Sequence, residues 1–268
     1  MPITAQLTLL PLWLAVSILV SFMVAASIIG FLIVHRFIPV KIRKIHNDVA
    51  GFLFATVGIA YGVLLGFLVL VVWVQFDKVQ DNVDNESSVT LLLASNINAY
   101  PDQQKSRLMK EALLEYARLA LEEHEQVVTR IRVAANYHAD IHSSVEKLSS
   151  ILEKALEQGH RDATLDSAIL ANLDELVKYR HLRLQAAERA LPSAIWLAVV
   201  AGAMITIAFT FLFGTENVWA HITMISMLTA ATAVIIYVVI EVEYPFIGYT
   251  VVAPPDGYRI LLAKAHLT

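Results

Sequence analysis

Four stretches of this chain contain no lysine, arginine, aspartate or glutamate: residues 1–34, 49–76, 190–215 and 217–240. An α-helix needs roughly 20 apolar residues to cross about 30 Å of hydrocarbon. Each stretch exceeds that length, so the sequence predicts four membrane spans. The first has no positive region at its start and no small-residue cleavage site before His35-Arg36, so it reads as a retained helix and not as a signal peptide. Spans three and four are separated only by Gly214, Thr215, Glu216 and Asn217, all good turn formers, and should form an antiparallel hairpin.

The charge lies elsewhere. Of the 44 Lys, Arg, Asp and Glu residues, 33 fall between Asp77 and Arg189, so a polar insert separates spans two and three. That insert holds one proline, Pro101, and one glycine, Gly159, a scarcity that favours long helices. Span two should continue as helix to about Ala99, where Tyr100-Pro101 interrupts it. A second helix should start near Asp102, with Leu108, Ala112, Glu115, Leu119 and Glu122 along one face. Two more should follow, divided near Gly159. The expected fold is therefore an all-α membrane protein: residues 1–76 carry spans one and two, 77–189 a helical soluble domain, 190–240 the hairpin of spans three and four, and 241–268 a C-terminal tail.

Composition excludes several functions. A net charge of −4 offers no basic excess for a nucleic-acid backbone. Cysteine is absent, which removes disulfides, thiolate catalysis and Cys-ligated zinc. His124-Glu125 begins a metalloprotease pattern, but Val128 stands where the second histidine is needed. His138 and His142, with Asp140 between them, have a spacing that solvent-facing helices produce by chance as well as for metal. No phosphate loop, nucleophile elbow or dinucleotide fingerprint occurs. The sequence predicts no enzyme, no cofactor and no metal site.

Orientation stays open from charge alone. The loop between spans one and two carries Arg36, Lys41, Arg43 and Lys44, and the positive-inside rule would put it in the cytoplasm. On the opposite side Lys78, Lys178, Arg180, Arg183 and Arg189 flank the insert, with Arg259 and Lys264 in the tail.

Span two is the most informative segment. Gly51, Ala55, Gly58, Gly62 and Gly66 recur every three or four residues, a small-residue face that lets helices pack closely in lipid. At about 80–160° from it on the helical wheel stand Ile59, Val63 and Phe67. Such a bulky stripe either faces lipid or, in a ring of subunits, forms a hydrophobic constriction that gates by dewetting. Beyond the span, Asp77, Asp81 and Asp84 lie near the same direction, with Glu86 following. They form either a solvated acidic face or stacked carboxylate rings that attract cations at the mouth of a pore. His46 and Asp48 sit at the start of span two, where Asp48 can cap the helix or oppose its dipole and His46 can act as a pH sensor.

The run 46–67, HNDVAGFLFATVGIAYGVLLGF, followed by Trp73, Asp77 and Glu86, resembles the bacterial bestrophin-like family of four-span proteins. The tail segment Glu243-Tyr244-Pro245-Phe246-Ile247-Gly248 is similar to that group's acidic-x-Pro-Phe-x-Gly motif, with Glu243 where the family places Asp. The resemblance implies a prokaryotic inner-membrane protein distantly related to bestrophins, which are pentameric ion channels lined by their second span. Their hydrophobic neck, two bulky residues and a Gly-Phe pair at four-residue spacing, falls here on Ile59, Val63 and Gly66-Phe67. Their Arg-Trp-Trp run is absent, since the corresponding stretch reads Val74-Gln75-Phe76. The resemblance also implies a helical domain on the cytoplasmic side.

The resulting expectation is a homo-oligomeric, cation-permeable channel in a lipid bilayer, passing inorganic ions. Its rival is a non-conducting scaffold or sensor whose helical domain binds a protein partner.

Overall fold

The computed structural model describes residues 7–8, 10–128, 135–157, 163–188, 191–246, 249–253 and 255–265, without the side chains of 125–144 and 187–188. Every long element among the described residues is helical. They fall into two compact units. One lies within Met1–Gln75, Ala190–Tyr244 and Gly248–Thr250, the other within Phe76–Arg189, Pro245–Ile247 and Val251–Thr268.

The first unit contains α1 (Leu12–Phe37), the short α2 (Val40–Ile45), the first part of α3 (Asn47–Asn98), α7 (Ser193–Phe211) and α8 (Val218–Glu243). Helices α1, α3, α7 and α8 are long and apolar enough to cross a membrane, which makes the chain a membrane protein. Proline precedes α1, α2 and α7, at Pro11, Pro39 and Pro192, where the missing N–H is not needed and φ is already set for a helix. Asn217 starts α8, its side chain accepting from the Ala220 backbone N–H at 3.1 Å, as an N-cap should. Helix α1 packs against α8 and α7. At their junction the buried Phe31 ring lies 4.4 Å from that of His221 and 6.4 Å from that of Phe211. Helix α3 docks on α7 through Tyr61, whose hydroxyl donates to the Val199 carbonyl at 3.1 Å.

The second unit contains the remainder of α3 with α4 (Gln103–Val128), α5 (Ala135–Glu157), α6 (Ala163–Glu188) and α9 (Asp256–Ala265). Helix α3 stops at Asn98, just before Pro101. Asp102 then caps α4, its carboxylate accepting from the backbone N–H of Gln104 at 3.0 Å and of Lys105 at 3.2 Å. The core holds Leu93 and Ile97 of α3, Met109, Leu113 and Tyr116 of α4, Leu148 and Leu152 of α5, and Ile169, Leu173 and Leu176 of α6. Full burial of each large aliphatic side chain contributes about 1.5–3 kcal/mol.

The structure corrects two expectations. The face of α4 turned inward is Met109, Leu113, Tyr116 and Ala120, while Leu108 is 53% exposed. The stripe through Leu108 also carries Glu115 and Glu122, and these carboxylates bind Arg118 at the surface. The C-terminal residues are not a separate tail: Tyr258 and Leu261 belong to the bundle core, and Val252 packs with Val79, Val83 and Phe246. Gly257 allows this close seating, since a Cβ there would stand 2.8 Å from the Ser87 carbonyl oxygen.

Candidate functional site: the long helix and its connector

Within the chain, the membrane part of α3 buries Tyr61, Leu65, Leu68 and Val72, four residues at spacings of four and three. The opposite side is open. Ile59, Val63 and Phe67 are 69%, 53% and 64% exposed. A Cβ added at Gly58, Gly62 or Gly66 would meet nothing within 4 Å, and at Gly51 only the Phe213 ring at 3.9 Å. Among the described residues the small-residue face therefore packs no helix at Gly58, Gly62 and Gly66, and the bulky stripe beside it is exposed.

Further along α3, Asp77, Asp81 and Asp84 are exposed, with the Asp84 carboxylate accepting from Gln80 at 3.2 Å. Glu86 does not join them. Two residues add about 200° on a helix, which turns Glu86 from the open side into the bundle, where it is 1% exposed. There Tyr116 and Tyr258 donate to Glu86 Oε1 at 2.7 and 2.8 Å, and Arg183 Nε lies 2.7 Å from Oε2. Arg183 also donates to Glu123 at 3.0 Å, and Arg180 to Glu123 at 3.4 Å. Two carboxylates thus face two guanidiniums with almost no solvent, so the charges cancel where an unpaired one would be costly. Burial, together with the Glu86 charge, holds the Tyr116 and Tyr258 hydroxyls above the usual phenol range. Beside them His124 donates from Nε2 to the Val252 carbonyl at 3.1 Å. Burial and the Arg183 charge push the His124 imidazole down to about 4.

The connector between α1 and α3 holds a second polar knot. Arg43 is 4% exposed, and its guanidinium donates to the Phe211 and Phe213 carbonyls at 3.0 and 3.2 Å. These are orphan acceptors at the end of α7, where a cation is also favoured by the helix dipole. Asn47 binds Gly214 reciprocally, accepting from its N–H at 2.8 Å and donating to its carbonyl at 3.1 Å. Lys44 pairs with Glu216 at 2.5 Å. His46 is exposed, and its backbone carbonyl accepts from Ala50 N–H at 2.8 Å. It thus precedes the helix, in the place expected of Asp48 as a cap, and Asp48 lies in the first turn, suited to the dipole.

Arg43, Asn47, Glu123, Arg180 and Arg183 escape the sequence reading as a set. A signal is present for Glu123, which follows Tyr116 by seven residues on the face that proves to be buried. The side chains of His138, Asp140 and His142 lie outside the described residues.

A family model described as the Bestrophin-like domain matches residues 21–255. The chain belongs to the bestrophin-like family. Among solved structures it is similar to a point variant of a bacterial bestrophin homologue from Klebsiella pneumoniae, at 12% identity and TM-score 0.68, covering 91% of this chain and 98% of that one. A second variant of the Klebsiella pneumoniae homologue gives 14% identity and TM-score 0.68 over 92% and 97% of the two chains. A further membrane-protein structure gives 13% and 0.68 over 91% and 96%. At such identities the likeness establishes the fold. No match is found among curated proteins.

The bestrophin-like tail motif proves to be a structural corner. Glu243 accepts from the Leu191 backbone N–H at 2.7 Å and from the Trp196 indole at 3.3 Å, which fixes the start of α7 against the end of α8. Phe246 packs edge-on against His124, ring centroids 6.2 Å apart, and Pro245 accepts from Val252 N–H at 2.8 Å. The longer Glu side chain still reaches its two donors, so the exchange of Asp for Glu leaves this corner closed.

Proposed function

We propose that this bestrophin-like protein is a homo-oligomeric ion channel in which α3 lines the pore. The observation that carries the reading is the bare side of α3: a membrane helix exposes Ile59, Val63 and Phe67 and, next to them, three glycines at which an added Cβ would meet nothing within 4 Å among the described residues. In a ring of subunits, pentameric by resemblance, Gly58, Gly62 and Gly66 allow close helix approach. Ile59, Val63 and Phe67 then form the neck. Asp77, Asp81 and Asp84 form the acidic entry, without Glu86, and favour cations. The helical unit is the cytoplasmic vestibule of an inner-membrane protein, and the chain performs no catalysis.

Reconstitution into planar bilayers tests this. Purified protein should give currents, and replacing Ile59, Val63 and Phe67 together by Ala should raise single-channel conductance severalfold, because a dry apolar ring opposes ion entry. Currents unaltered by the triple change, in protein that assembles normally, would remove the neck. Absence of any current from the assembled wild type would favour the scaffold reading.

A further inference from the structure

The knot beneath the connector contains one bond whose chemistry depends on a proton. Besides its two carbonyl partners, the Arg43 guanidinium lies 2.8 Å from His35 Nδ1. A guanidinium only donates, so this contact uses the lone pair of Nδ1, which a doubly protonated imidazole does not have. The titratable and charged groups around this pair are Arg43 from α2 and His221 from α8. The His221 ring lies 4.4 Å from that of Phe31, tilted by 52°, while Phe31 meets His35 at 5.5 Å and Arg43 at 5.8 Å. His221 turns its Nε2 to the Thr210 carbonyl at 2.9 Å. Helix α7 contributes backbone carbonyls. Among the described residues no carboxylate stands within ion-pair distance of His35 or Arg43, and the neighbouring acid, Glu216, is held by Lys44.

We propose that His35 and Arg43 form an acid-sensitive latch between the α1–α3 connector and the turn joining α7 to α8. A second proton on His35 places an N–H against an N–H and a positive charge about 3 Å from another. Among the described residues no nearby acid compensates, so the repulsion pushes the Arg43 guanidinium away from His35 and off the Phe211 and Phe213 carbonyls that hold it beside that ring. The latch is therefore closed while Nδ1 keeps its lone pair and opens when His35 takes up a second proton. Its opening frees the Phe213 carbonyl from Arg43 and loosens the turn, which the Asn47–Gly214 and Lys44–Glu216 pairs continue to tether. The latch lies within the first unit alone and operates whether or not the protein conducts.

The test exploits the absence of cysteine from the chain. Thr215→Cys places a single thiol in the turn, and its labelling by a membrane-impermeant reagent is followed in the full-length protein in vesicles of either orientation. His35→Asn is compared at each pH, because an amide oxygen can accept from Arg43 and cannot be protonated. Comparison at equal pH removes the intrinsic pH dependence of the thiol. The T215C protein should label at a rate similar to T215C/H35N at pH 8, and at least threefold faster at pH 5.5. Equal rates for the two proteins at pH 5.5 would overturn the latch. A pH response that survives His35→Asn but is lost in His46→Gln would assign the sensing to His46 and overturn it equally. Should H35N fail to fold, the T215C protein alone decides: labelling that does not rise on acidification, after correction for thiol reactivity with a free-cysteine peptide, overturns the latch as well.

Discussion

Glu86 shows how one residue can read correctly as acidic and wrongly as exposed. Its carboxylate accepts from two tyrosines and pairs with Arg183 inside the helical unit. Replacing it with Gln leaves Arg180 and Arg183 facing Glu123 alone, so one buried positive charge is uncompensated. Removal of one partner from such a pair costs about 3–5 kcal/mol. Glu86→Gln should therefore lower the unfolding midpoint of the helical unit by several degrees in a circular-dichroism melt of the purified protein, and Glu86→Gln with Arg183→Met should recover part of the loss. Equal stability of wild type and Glu86→Gln would show that the network carries no net energy. Asp77, Asp81 and Asp84 are exposed, and their spacing keeps them on one side of a helix. Glu86 breaks that spacing by two residues, and its partners, 30 to 172 positions away, lie beyond anything local pattern can report. The same distance hid Arg43, two of whose acceptors are backbone carbonyls 168 and 170 positions away that leave no trace in side-chain chemistry.

At the level of elements, absence of charge over more than 20 residues was enough to place the spans, because a membrane admits few alternatives. The amphipathic face of α4 was harder. Two adjacent stripes both carry Leu or Ala at helical spacing, and the buried one is marked by Met109, Tyr116 and Ala120, which periodicity alone does not rank above Leu108 and Leu119. The glycines raise a related ambiguity, since among the described residues close helix contacts use Gly30 of α1 and Gly202 of α7, not the conspicuous row on α3. A Cβ at Gly202 would stand 2.5 Å from two carbons of the Tyr61 ring, while one at Gly62 meets nothing. Overpacking of this kind costs about 1–3 kcal/mol. Gly202→Val should lower the melting temperature of the membrane unit and be partly rescued by Tyr61→Leu. Gly62→Ala should leave the melt of the dissociated chain unchanged and act on subunit assembly, read by native mass spectrometry or crosslinking. A Gly62→Ala chain that misfolds as a monomer would contradict the open face.

For the whole molecule, the decisive property is where charge sits along the one helix that serves both units. Between Asp48 and Asp77 helix α3 carries no ionised side chain, and then Asp77, Lys78, Asp81 and Asp84 follow within eight residues. Glu86 is neutralised by Arg183, so it adds nothing to the field outside the bundle. If α3 surrounds an axis, each remaining carboxylate is repeated once per subunit at similar depth, and the potentials of the ring add. Lys78 offsets one of the three. A net negative ring raises local cation concentration, more strongly at low ionic strength, where the Debye length is about 30 Å at 0.01 M against about 10 Å at 0.1 M. Under a tenfold salt gradient the wild-type reversal potential should therefore lie toward the cation equilibrium value, and further toward it when both solutions are diluted. Asp77→Asn with Asp81→Asn removes two of the three acids, leaves Lys78 opposed by Asp84 alone, and should move reversal toward chloride. Because all these side chains are exposed, the double change should leave the melt within about 0.5 kcal/mol of wild type, which separates a loss of selectivity from a loss of fold. Wild-type currents that reverse at the chloride potential would leave the three aspartates as a solvated helix face and return the question of selectivity to the neck.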